Sequence, residues 1–376
     1  MNVNKIGNTE AIFLIIIVTV AHIILNIPQY ILNNTSTSSI LNIIYVSIIA
    51  FIICYVICRL FSYFPNQDII DVGKYLGGNW LKFIIGILYI AYMFFISSIL
   101  LRNFSESLKI IYFHNTPVIA IILVFLIGTT IVNKIGLASI IKCNLIISPL
   151  VLVIMLILFL STSHEYVWQR ALPILGNGFS ETFIKGLSNI YAFGGISILY
   201  LISPMLYKQC DLKKVGFFSI GASSIYLIIA IASLLFMFPF ITNTQTLLSI
   251  YIATREMNFG EFLQRTDAIF ILIWILAIFS YLSIAIGFIL NFLKKLILIN
   301  FSKPMVYSVS SLIFSFSLIP ENFAQIIFTE DTLYKYIVIS LTLIISPIIL
   351  ILGVLKKRKE NKYSDNIAHL LEKENI

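Results

Sequence analysis

Long, continuous runs of apolar residues set the pattern of this 376-residue chain, separated by short polar, glycine- or proline-containing stretches. Many of the runs reach the about 20 residues that a helix needs to cross a hydrocarbon core about 30 Å thick. They are continuously apolar rather than alternating at every second residue, which predicts helices and not the strands of a membrane barrel. The pattern places ten transmembrane helices at roughly 9–30, 39–64, 79–110, 116–133, 136–161, 181–204, 215–240, 267–292, 303–319 and 334–355. Only Asn133-Lys134-Ile135-Gly136 separates the fourth from the fifth. The expected fold class is an all-α membrane protein with one transmembrane domain over 1–355 and a basic tail over 356–376.

A cut near residue 170 leaves five helices on each side, about 9–161 and about 181–355. The first helix of each half is interrupted at a comparable place. In the first, Ala21-His22 sits amid apolar residues and is followed by Asn26 and Pro28; in the sixth, Phe193-Gly194-Gly195 interrupts an otherwise good span. Paired interruptions in corresponding helices are the sequence signature of an inverted-repeat transporter.

Charge supplies the orientation. With the amino terminus inside, 18 of the Lys and Arg residues fall on the inner side and 7 on the outer side. That split obeys the positive-inside rule, and an even number of helices then puts both termini in the cytoplasm. Loops 161–180 and 241–266 face outward, and the stretch Thr246 to Arg265 suits either a short interfacial helix or a solvated loop.

Composition narrows the function classes. Hydrophobic residues make up 59% and charged residues 11% of the chain, where a soluble domain carries roughly 25% charged residues. The formal charge of +8 is dispersed between spans except for Lys356-Lys357-Arg358-Lys359, a cytoplasmic flank; nucleic acid is not an expected partner. Cys54, Cys58, Cys143 and Cys210 fall in spans or at predicted cytoplasmic edges, so no disulfide framework is indicated. Only Lys5 precedes the first apolar run, and no small-residue cleavage site follows it, so it reads as a retained helix rather than a signal peptide. No metal-spaced His/Cys/Asp/Glu cluster and no glycine-rich nucleotide loop is present, and no metal or cofactor is expected. Acidic residues are scarce in the predicted spans, where Glu10 opens the first and Asp267 the eighth. A membrane-embedded hydrolase or acyltransferase would want paired acid and base groups at one depth. The chain is not expected to be an enzyme.

Several positions could carry chemistry. Gly194 and Gly195 either release backbone groups toward a small zwitterion or allow close helix packing. His22, near the middle of the first helix, either reads a ligand carboxylate or bonds a neighbouring carbonyl as a neutral imidazole. Lys142 lies about one turn into the fifth helix; its ammonium either occupies a cation site or snorkels to the interface. Trp274, Ser280, Tyr281 and Ser283 on the eighth helix and Tyr89 and Tyr92 on the third bring polar groups to depth, for helix–helix bonds or for a ligand.

An ordered series of short motifs gives the chain a family resemblance over nearly its whole length. The series runs from Phe64-Pro65 through Asp71-Val72-Gly73-Lys74-Tyr75-Leu76-Gly77-Gly78, then Leu101-Arg102-Asn103-Phe104-Ser105-Glu106 and Thr116-Pro117. It continues with Leu172-Pro173-Ile174-Leu175-Gly176-Asn177-Gly178, Arg265-Thr266-Asp267 with Trp274, and Pro320-Glu321-Asn322. In this order and spacing they resemble the permease-like B subunit of spore germinant receptors. The resemblance implies an amino acid–polyamine–organocation permease fold, leucine-transporter-like, with ten helices in two inverted repeats. It implies a nutrient sensor in the spore inner membrane that triggers germination beside an A subunit and a lipoprotein C subunit. It places a small-ligand pocket, most simply for an amino acid, between helices one, three, six and eight, at Ala21, Tyr92, Ile96, Gly194, Ser280 and Tyr281. His22, Phe193 and Gly195 adjoin those positions at the two breaks. The family's basic residue of the fifth helix, usually arginine, falls on Lys142 and would stand in for a bound cation. Two departures stand out: Ala21-His22 replaces the glycine typical of the first break, and the sixth helix aligns only with a one-residue gap, which leaves Gly194 and Gly195 interchangeable. The competing reading is a stand-alone proton-coupled amino acid transporter.

The charge split carries a direct test. A cysteine at position 170 should react with a membrane-impermeant thiol reagent added outside and not with one confined to the cytoplasmic side.

Overall fold

The computed structural model describes residues 5–208, 211–238, 249–255, 266–297 and 304–374. Among the described residues, eight helices are long and apolar enough to cross a membrane, and two shorter apolar ones complete the ten predicted spans. The first span is split into α1 (Asn8–Leu25) and α2 (Ile27–Thr35), and α3 (Ser39–Phe61) returns. There follow α4 (Ile69–Ile111), the short α5 (Val118–Asn133) and α6 (Leu137–Ser161). The second half comprises α7 (Ser180–Met205), α8 (Asp211–Met237), α9 (Ser249–Arg255), α10 (Thr266–Ile297), α11 (Met305–Ser317) and α12 (Phe323–Lys362). Helix α9 lies within the stretch for which a short outer helix is one expectation; the rest of 239–265, Cys210 and Lys303 lie outside the described residues.

Local chemistry explains the interruptions. Asn26 leaves the helical region at φ −129°, ψ −3°, two residues before Pro28, whose missing N–H ends the α1 hydrogen-bond ladder. Ala21 and His22, expected at the break, remain inside α1, since neither residue demands a backbone that a helix cannot supply. In α7 the break falls at Phe193, at φ −91°, ψ 32°, and the segment around it is wound more tightly than an α-helix. Helix α4 opens with Asp68 accepting the Asp71 amide at 3.0 Å, and a kink at Gly77-Gly78 divides it. Gly78 adopts φ 69°, which a side chain would oppose, so the span proper begins near 79, as the sequence predicts.

Helix α1 is the hub. It packs against α6, α7, α8 and α10, while α7 also packs on α3 and α12. Corresponding members of the two halves lie against each other, α3 on α8 and α4 on α10. Small residues let the backbones approach: an added Cβ at Gly86 would meet the Leu296 side chain, and one at Gly216 would meet Cys54 and Leu199.

Lysines of the predicted cytoplasmic side fasten chain ends and loop carbonyls. The Lys5 ammonium donates to the carbonyls of Pro204 (3.0 Å) and Leu206 (2.9 Å). Lys82 donates to Lys295 O at 2.6 Å, Lys356 to Tyr75 O at 2.8 Å and Lys357 to Tyr63 O at 2.6 Å. Terminal carbonyls of a helix have no intrahelical partner, and a cation there also complements the helix dipole. The basic side of the chain is thus also its structural clasp.

One difference from the sequence reading bears on function. The tenth span was expected from about 334, yet α12 begins at Phe323 and carries Glu330 into the bundle, 6% exposed. Hydropathy drops over Thr329-Glu330-Asp331, which suggests a loop; in the fold the carboxylate is satisfied by side chains of other spans. The acid-poor interior expected from sequence is corrected accordingly.

The ion pairs of Lys295 generate a prediction. Its ammonium lies 2.6 Å from both Asp68 and Asp71, with side-chain exposures of 22% for Lys295 and 5% for Asp68. Burial lifts the Asp68 carboxyl to about 6 in spite of Lys295 beside it. Lys295→Met should cost about 2 kcal/mol at neutral pH, where Asp68 is charged and loses its counter-ion. Because Asp68 becomes neutral below about 6, the deficit should shrink on acidification. Thermal unfolding of the purified protein in detergent across that range checks both sign and size.

Candidate ligand site at the two helix breaks

A narrow cavity lies where α1, α4, α7, α10 and α12 converge, lined by Val18, His22, Tyr92, Met93, Ile96, Gly194, Ser197, Ile198, Tyr281, Ile284, Ala285 and Tyr334. The walls leave ≈ 10 Å³ for the centre of a water-sized sphere, about the space of one water molecule. Each element contributes by helical register. On α1, Val18 and His22 are four residues apart; on α10, Tyr281 and Ala285 are four apart; on α4, Tyr92 and Ile96 share a face.

The polar lining is neutral and largely aromatic. The His22 ring stacks on Tyr334 at 4.9 Å with 21° between planes and meets the Tyr281 ring edge-on at 4.9 Å and 88°. Tyr191 of α7 stands edge-on to Tyr334 at 5.8 Å, and the Tyr92 hydroxyl faces Ser197. No Asp, Glu, Lys or Arg lines the cavity. A zwitterion would have to be met by hydroxyls, by the imidazole and by backbone groups near the breaks, whose helix ends carry partial charge.

The two glycines play different structural parts. A Cβ at Gly194 would point into the cavity wall, 3.2 Å from the Tyr334 hydroxyl. A Cβ at Gly195 would run into the Thr19 side chain and stand 2.9 Å from the Ile15 carbonyl on α1. Gly194 therefore lines the cavity, and Gly195 is where α7 touches α1.

Of the positions singled out from sequence, His22, Tyr92, Ile96, Gly194 and Tyr281 are brought together around this cavity. Ala21, Phe193, Gly195 and Ser280 are buried beside it without lining it, and the Ser280 hydroxyl has no hydrogen-bond partner. Lys142 is exposed on α6 and is not part of the lining. The inward face of α6 carries Ile141, Asn144 and Ser148, the last donating to Phe13 O of α1 at 3.4 Å. Two positions beyond Lys142 is about 200° of helical turn, so Lys142 and Asn144 point to opposite sides.

Sequence reasoning missed Ser197 and Tyr334 among the polar lining residues. Ser197 follows Gly194 by three residues, a spacing that marks the same face of a helix. Tyr334 opens the tenth predicted span, directly after a polar stretch, where nothing marks an inward-facing residue. Tyr89, by contrast, is used between helices: its hydroxyl pairs with Ser346 at 2.7 Å.

Comparisons with known proteins agree on fold and family. The solved structure of MhsT in complex with L-phenylalanine superposes with a TM-score of 0.68 over 94% of this chain and 99% of that one, at 13% identity. Mhp1, a nucleobase-cation-symport-1 family transporter in a closed conformation with bromovinylhydantoin bound, gives 0.60 over 91% and 79%, also at 13%. The fold is the leucine-transporter-like 5+5 inverted repeat. Among curated proteins, spore germination protein YndE of Bacillus subtilis is 22% identical over 368 residues, covering 95% of this chain and 98% of the relative. Spore germination protein A2 of the same organism is 27% identical over 293 residues, covering 75% and 76%. The family model described as spore germination protein, a spore permease, matches residues 5–326, and the chain belongs to that family.

Proposed function

We propose that this chain is the nutrient-sensing subunit of a spore germination receptor in the spore inner membrane, both termini cytoplasmic. It binds a small germinant, an amino acid in the simplest case, and works beside an A subunit and a lipoprotein C subunit. The observation that supports this most directly is the cavity at the two breaks, with neutral hydroxyls, an imidazole and helix ends around it. Such a lining can meet both ends of a zwitterion without a fixed charge. The family's role in germination supplies the biological setting.

The cavity as it stands holds about one water, so a germinant enters only when the wall parts. The contacts that separate are those between α1, α10 and α12 at His22, Tyr281 and Tyr334. Binding energy of the ligand is then coupled to a rearrangement of spans, which is what a sensor must pass to its partners. The contacts proposed for the ligand are His22, Tyr92, Ile96, Gly194 and Tyr281, with Ser197 and Tyr334 added; Ala21, Phe193, Gly195 and Ser280 back them.

The glycines separate site from packing. Gly194→Ala should keep the normal protein level in spores while raising the germinant concentration for half-maximal response. Gly195→Ala overpacks the α1–α7 contact at a cost of about 1–3 kcal/mol and should lower the protein level itself. Immunoblots and dose–response curves on the same spores check this; equal behaviour of the two variants would count against the assignment.

Tyr92→Phe removes one cavity hydroxyl. A lost ligand bond of about 1–3 kcal/mol corresponds to a roughly 5- to 150-fold weaker apparent affinity. The dose curve should shift by that range with the protein level unchanged. Uptake of a labelled amino acid by the chain alone in proteoliposomes would instead support a stand-alone transporter.

A further inference from the structure

Glu330 is a carboxylate buried inside a membrane helix, and the ligand cavity makes no use of it. Three donors converge on one of its oxygens, Oε2: Asn103 Nδ2 of α4 at 2.6 Å, the Tyr30 hydroxyl of α2 at 3.0 Å, and Nδ2 of Asn26, the break residue, at 3.5 Å. All three are neutral. Of the charged and titratable groups around the cluster, among the described residues, the cations are engaged, and Asp331 keeps one carboxylate oxygen buried without a hydrogen-bond partner. Arg102 on α4 is paired with Glu106 at 2.8 Å, and the Lys335 ammonium sits 5.8 Å over the Tyr191 ring. Asp331 adjoins Glu330 in sequence, Tyr191 presents from α7 a buried hydroxyl without a hydrogen-bond partner, and His22 is held between Tyr281 and Tyr334.

Register places this cluster directly over the cavity. Glu330 precedes the cavity residue Tyr334 by four positions, Asn26 follows His22 by four, and Asn103 follows Ile96 by seven. One to two helical turns separate the two layers, about 6–10 Å. The cluster ties α12, α4 and the α1–α2 break together on the side that the charge split assigns to the outside.

The two protonation states differ sharply here. A carboxylate accepts several donors at once, and bonds to a charged acceptor are about twice as strong as neutral ones. A proton taken from external water turns the group into a neutral acid with a donor of its own, facing amide N–H groups that can only donate.

We propose that Glu330 is a proton-operated latch on the outer side of the cavity. As a carboxylate it clamps the α1–α2 break, α4 and α12 together; on binding a proton it releases them and opens the path to the cavity. The latch governs access and holds whatever ligand the cavity takes.

Ala285→Cys, a cavity-lining position, reports the opening in the full chain in proteoliposomes after Cys54, Cys58, Cys143 and Cys210 are replaced by serine. The readout is its labelling rate by an impermeant thiosulfonate, divided by that of Asn177→Cys in the exposed outer loop, which cancels the reagent's own pH dependence. With Glu330 intact, the ratio should rise about tenfold or more as external pH falls through the carboxylate range, the equivalent of one bond to a charged acceptor. Glu330→Gln should give a high ratio at every pH. A flat, low ratio in the native protein, or an unchanged pH rise in the Gln variant, would overturn the proposal. Should the Gln variant fail to fold, Tyr30→Phe, which removes one donor, should raise the ratio at neutral pH and retain the acid response; no change would count equally against it. Difference infrared spectra supply the direct mark: a carboxylic acid C=O band that appears on acidification of the native protein should be missing from Glu330→Gln, and identical bands in the two overturn the latch.

Discussion

Within a lipid bilayer every backbone N–H and C=O must find its partner inside the protein, and the rest of this structure depends on that constraint. Ten spans can be continuous helices at no cost in unpaired groups. The two that are interrupted, at Asn26 and at Phe193, can exist only where neighbouring spans enclose them. That is why the broken spans occupy the centre, with α1 surrounded by α6, α7, α8 and α10. The site follows from the same logic, since a break frees backbone groups in the bundle interior from their own helix.

Association of the spans has to proceed without a hydrophobic drive, because lipid tails are as apolar as leucine side chains. The structure instead uses small residues, hydroxyls and charges at the edges. Gly195 admits the α1 backbone, Tyr200 donates to Thr342 O at 2.7 Å, and Thr130 and Ser310 pair at 2.7 Å between α5 and α11. On the predicted cytoplasmic side the lysines that record topology also hold terminal and loop carbonyls. Orientation and cohesion are served by the same residues.

Inside the bundle, polarity is layered. The cavity lining has no Asp, Glu, Lys or Arg among the described residues, and His22 lies there against two tyrosine rings. One turn farther out, a single carboxylate gathers two amides and a phenol. The two layers share helices and differ in charge. The two layers are adjacent, because Tyr334 and Glu330 stand four residues apart on α12.

The sequence by itself determined the class of the protein, the number of spans and which two of them are interrupted at the centre, although it set the first interruption at Ala21-His22 and the structure sets it at Asn26. These depend on hydropathy, on the missing N–H of Pro28 and on the paired glycines, all of which are local. The family resemblance brought Tyr92, Ile96, Gly194 and Tyr281 to one place, and the depth of His22 in its span singled it out. All five line the cavity, whereas Ala21 and Ser280, placed by the same resemblance, do not. The tertiary structure alone decided the rest. It distinguished Gly194 from Gly195, which look alike in sequence and differ only in what an added Cβ would strike. It turned Lys142 outward, because α6 turns its Ile141, Asn144 and Ser148 face inward, where Ser148 bonds α1. It drew Glu330 into the bundle, since a polar stretch that reads as a loop is stable within a span once Asn26, Tyr30 and Asn103 supply its hydrogen bonds. Those donors lie more than 220 residues away along the chain, and no local pattern can announce a partner at that distance.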